Sequence, residues 1–98
     1  MYNTVDFSYA LDRLASATGY NRLALEDLEL AVNGLNPPSR RVIIDFVVNL
    51  SNKIGQPGVD NDKVAVMLST GVNHVIDELD NKVQGALRKA MSVLDQTR

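Results

Sequence analysis

His74 is the only histidine in the chain, and Asp77 and Glu78 lie three and four residues beyond it. On a helix, that spacing sets an imidazole and a carboxylate on one face, the start of a metal site or an acid–base pair. A zinc centre wants three or four ligands of the right kinds, and no second cluster accompanies this one. Cysteine is absent, which removes thiolate ligation and disulfides together. The plainer reading is a solvent-facing histidine with Glu78 as its i,i+4 neighbour. Asp60-Asn61-Asp62 opens like a calcium loop, but Val64 stands where the third ligand belongs, and the glycine and distal glutamate are missing. Helix capping accounts for those acids. No glycine-rich phosphate loop succeeds a strand, and no nucleophile sits in an elbow. The expectation is a protein that is not an enzyme and uses no metal or cofactor.

What would hold any site is a set of helices. The stretch 60–94 carries apolar residues at Val64, Leu68, Val72, Val75, Leu79, Val83, Ala86, Ala90 and Leu94. Steps of three and four put them on one helical face. Leu68, Leu79 and Ala90 recur eleven apart, as do Val72, Val83 and Leu94, a period that keeps a seam straight with little supercoiling. Read as one helix, about 35 residues span roughly 52 Å. A compact domain of this length is only about 32 Å across. A seam that long outruns its own chain and calls for a second copy or a partner. Gly71 is the weak point, since glycine costs a helix about 1 kcal/mol relative to alanine. A bend there would fold the arm back and remove the surplus length.

Three shorter helices precede it, over 4–18, 21–33 and 37–54. Gly19 ends the first, and Asn21 caps the second, with Tyr20 and Leu25 placed as a hydrophobic staple. The second helix buries Leu25, Leu28, Val32 and Leu35, yet Leu23 and Leu30 sit nearly opposite, so it is apolar on two sides. Asn36-Pro37-Pro38 breaks the chain and then starts the third helix, with Asn36 as cap and Pro37 in the first turn. Its β-branched residues suit a strand. However, Ile43, Phe46, Val47, Leu50 and Ile54 fit a helical stripe, and strict alternation fails at Ile43-Ile44. Gly55-Gln56-Pro57-Gly58 is a turn, and Asp60 caps the long helix, with Val59 and Val64 as its staple. The predicted architecture is all-α with four helices in one domain over 1–98, a three-helix head over 1–55 and a long packing arm.

Composition narrows the function. Ninety-eight residues with net charge −2 exert no general pull on nucleic acid or anionic membrane. The opening residues lack the basic and apolar regions of a signal peptide. The most apolar run, Val42 to Leu50, is interrupted by Asp45 and falls far short of the roughly 20 residues a membrane span needs. The expected location is the cytoplasm, or the inside of a host cell or particle, with no membrane partner.

The run from Leu14 through Ala15, Gly19, Tyr20 and Leu25 to Leu28 resembles the helix-turn-helix of many repressors. Ala15 is the small residue at the helix crossing, Gly19 makes the turn, and Tyr20, Leu25 and Leu28 are the buried anchors. In that family the second helix enters the major groove. The resemblance implies that Asn21, Arg22, Leu23, Glu26 and Asp27 face DNA, helped by Arg40 and Arg41. Glu26, Asp27 and Glu29 with only Arg22 to offset them are set against phosphate attraction, so a DNA-binding regulator that dimerises through the long helix is the alternative reading. The leading expectation is an interaction or assembly protein. It would form a homodimer or other homo-oligomer, or dock on another helical protein, through Leu68, Val72, Val75, Leu79, Val83 and Leu94, with Leu23 and Leu30 as a second contact. A further alternative is an accessory subunit of a larger particle such as a virion.

Overall fold

A computed structural model describes residues 4–79 and 81–97, with side chains throughout except at 4, 5 and 81–83. The described residues form five α-helices and no strand: α1 (Thr4–Thr18), α2 (Arg22–Asn33), α3 (Pro37–Ser51), α4 (Asn61–Asp77) and α5 (Asn81–Gln96). Local chemistry sets the first boundaries. The Thr18 hydroxyl donates to the Leu14 carbonyl at 2.6 Å, and Gly19 takes a positive φ of 82°, the left-handed conformation glycine adopts most easily. The Asn21 side chain accepts from the Leu23 and Ala24 amides at 2.8 and 3.3 Å. Asn36 does the same for Ser39, with Pro37 just inside α3, and Asp60 for Lys63. The third helix ends at Ser51, earlier than periodicity suggests; i→i+3 bonds from Lys53 to Leu50 and from Ile54 to Ser51 tighten the chain into a turn.

The long rod does not exist. Its break lies at Glu78 and Leu79, not at Gly71. Glu78 and Leu79 donate to Val75 and Ile76, each at 3.0 Å, and the Gln84 amide reaches back to the Leu79 carbonyl at 2.7 Å. These bonds satisfy carbonyls that a helix end leaves without partners. From that corner α5 runs back antiparallel to α4: Ser69 meets Asp95 at 3.3 Å, while Arg88 pairs with Asp77. The molecule measures 38 × 30 × 22 Å with a radius of gyration of 12.4 Å, so no 52 Å arm remains. Head and arm are replaced by one packed body in which α5 lies against α2 and α4.

Folding back is favoured because it covers apolar surface. Val64, Leu68, Val72, Ile76, Leu87, Met91 and Leu94 are all essentially inaccessible, and each large side chain so buried contributes about 1.5–3 kcal/mol. The corner also lets α5 rotate about its own axis. The bulkier Leu87 and Met91 turn inward, whereas Ala86, expected on the seam, is exposed.

Gly71 stays inside α4 for a reason that lies in another helix. A Cβ at this position would sit 2.1 Å from Phe46 Cζ and 2.7 and 2.8 Å from the ring's Cε atoms. The Phe46 ring of α3 rests directly on the α4 backbone, a close approach that only glycine permits. Across the core, the Tyr20 hydroxyl donates to the Ala65 carbonyl at 3.3 Å, tying the α1–α2 corner to α4. Among the described residues, no helix is long and apolar enough to cross a membrane.

Candidate interaction surface

The residues expected to form a partner-binding seam divide sharply. Leu68, Val72 and Leu94 are fully buried inside the chain. Val75 and Leu79 are half-buried and pack on the same core, and the Val83 side chain lies outside the described residues. The seam's own chain covers it, so the surplus apolar length that argued for a companion is gone.

Leu23 and Leu30 behave differently. They are 70% and 65% exposed, while every other described leucine is buried or half-buried. Seven residues apart on α2, they lie on one line along the helix. The opposite side of α2, with Ala24, Leu25, Leu28 and Val32, is sealed in the core.

Neighbouring contacts fix how α2 is oriented. On one flank, the Arg22 guanidinium pairs with Asp12 of α1 and donates to the Ser8 hydroxyl at 3.3 Å, with Glu29 4.0 Å away. Arg22 Nη1 is buried without a partner among the described atoms, so the group is tucked against α1. On the other flank, the Asn21 amide donates to the Thr97 hydroxyl, one residue past the end of α5, at 3.2 Å. One turn before Thr97, on α5, Val93 is 42% exposed. Between the two leucines stand Glu26 and Asp27, both exposed. Tyr9, Val42 and Val66 are also exposed, but singly, on α1, α3 and α4, as apolar residues often are.

The resemblance to a repressor reader meets this geometry poorly. Asn21 spends its side chain capping α2. Arg22 is committed to α1, and Arg41 lies 3.8 Å from Asp45. Arg40 is half-buried at the start of α3. The face that would meet phosphates presents Glu26 and Asp27.

Chemistry elsewhere is sparse. His74 lies 3.6 Å from Glu78 with both side chains exposed, the i,i+4 neighbour relation the spacing predicts. Among the described residues, no group of three or more His, Cys, Asp or Glu is placed to hold a metal. Two shallow depressions meet at Tyr9 and Arg13 on the outside of α1, open to solvent and without a convergent set of reactive groups. Comparison with protein-family models, with curated proteins and with solved structures finds no match.

Proposed function

We propose that this chain is a non-enzymatic helical interaction module that docks on another protein through the outer face of α2. The observation carrying this reading is that the only two exposed leucines among the described residues share one line of one helix. Of the two expected partners, a second copy or another helical protein, this reading takes the second and moves the contact from the C-terminal seam to α2. Self-association through Leu68, Val72 and Leu94 would require opening the core.

Magnitude favours a transient partner over a permanent dimer. Burying Leu23 and Leu30 returns about 1.5–3 kcal/mol each, whereas association costs about 4–15 kcal/mol in lost freedom before any gain appears. Two leucines serve as anchors of a small interface, well short of the apolar area an obligate dimer uses.

Site-specific photo-cross-linking tests the reading. A benzophenone amino acid placed at Leu23 or Leu30 should give one discrete heavier adduct in extract of the source cells. The same group at Thr70, exposed on α4, should give none. Equal labelling from all three positions would remove α2 as the contact.

A further inference from the structure

Glu26 and Asp27 lie midway between Leu23 and Leu30, and neither carboxylate forms an ion pair among the described residues. The only cation near them in sequence, Arg22, is turned away to Asp12 and Glu29. The exposed ridge of α2 thus reads leucine, paired acids, leucine, with no local compensation.

That order decides against a second copy of this chain. An antiparallel two-fold pairing of α2 with itself puts Leu23 on Leu30 of the other copy, and its axis passes between positions 26 and 27. Four carboxylates would then converge within one turn. A parallel two-fold pairing sets Glu26 and Asp27 against their own counterparts. Both symmetric solutions bury like charges together, which specific interfaces are built to avoid.

We infer that the occupant of this face is a basic amphipathic helix of another protein. It carries two large apolar residues seven apart and lysine or arginine at the third and fourth positions between them. Its apolar residues meet Leu23 and Leu30, and its cations meet Glu26 and Asp27, the helix-against-helix mode in which regularly spaced anchors give affinity and charge gives partner choice. This inference rests on α2 being the docking face, and the test separates the two.

The probe is a capped helical peptide with leucines seven apart and lysines at the two central positions, titrated into the full chain by fluorescence anisotropy. The control peptide has glutamates in place of those lysines. The lysine peptide should bind about tenfold more tightly than the control or better, and lose that advantage as salt rises. In E26K/D27K the preference should invert. L23S/L30S should bind neither peptide, with circular dichroism confirming that each variant is folded. If L23S/L30S abolishes binding but E26K/D27K leaves the preference unchanged, the face stands and the basic partner is wrong. If L23S/L30S binds as the parent does, the face itself is wrong. Failure of the parent chain to bind either peptide overturns the basic-helix inference, as does a concentration-dependent dimer that L23S/L30S disrupts.

Discussion

Replacing Gly71 by alanine will lower the melting temperature, although the same change in an unencumbered helix raises it. Helix propensity alone favours alanine over glycine by about 1 kcal/mol. Here the added methyl would lie 2.1 Å from Phe46 Cζ, so the ring must leave its seat on α4 or the helices must separate. Overpacking of this kind costs about 1–3 kcal/mol, which outweighs the propensity gain. In a domain of this size, each kcal/mol of net loss lowers the melting point by about 4–8 °C. Gly85 supplies the internal control: it lies in α5, is exposed, and has no atom within 4 Å of where its Cβ would be. Gly85→Ala should therefore stabilise by up to about 1 kcal/mol. The opposite signs in thermal melts are the result to look for. Adding F46A to G71A should remove the clash and make the two substitutions non-additive. Stabilisation by G71A as large as that by G85A would show that Phe46 does not rest on α4.

The second large effect concerns the interior of the α4–α5 hairpin. Leu68→Asp should unfold the chain outright. Leu68 is inaccessible to solvent, and an unpaired carboxylate placed there must either stay charged at high cost or take up a proton. Domain stabilities are about 5–15 kcal/mol, so little margin is left. The milder Leu68→Ala and Leu87→Ala should each cost about 2–5 kcal/mol. Leu79→Asp should cost less than Leu68→Asp, because Leu79 is only half-buried at the corner. Denaturation tracked by far-ultraviolet circular dichroism at several protein concentrations checks this. Midpoints should be independent of concentration, since the stabilising contacts lie within one chain. A variant that keeps its melting point but changes its sedimenting size would place Leu68 between chains.

What the sequence made legible was local. Gly19, Asn21, Asn36-Pro37 and Asp60 announce their helix ends because capping needs only nearby atoms. The buried stripe of α2 is readable from 3.6-residue periodicity. The corner at Glu78 and Leu79 is not, because the apolar steps continue across it without interruption and no glycine or proline marks it. A hairpin of two helices and a single rod share the same pattern. The one available sign is the polar cluster Asp77-Glu78-Leu79-Asp80-Asn81, unusually acidic for a helix interior and rich in cap-forming residues. Gly71 misleads in the opposite sense. Its residue type suggests a break, but its role is set by Phe46 on another helix, which spacing alone does not reveal. Leu23 and Leu30 are marked by the two-sided character of α2. Which side stays uncovered depends on long-range packing, with Arg22 held against α1 and Asn21 bonded to Thr97 just past α5.

The doubling back of the chain after α4 hides the C-terminal seam, while Leu23 and Leu30 of α2 stay exposed. Spin labels at Thr70 and Gln96, both exposed, measure it by pulsed electron–electron double resonance. Continuous helix would separate these positions by about 39 Å. Packed antiparallel helices lie about 8–10 Å apart, so the labels should give one short distance distribution close to the lower limit of the method. A population centred near the longer value would contradict the hairpin and return the seam to a partner.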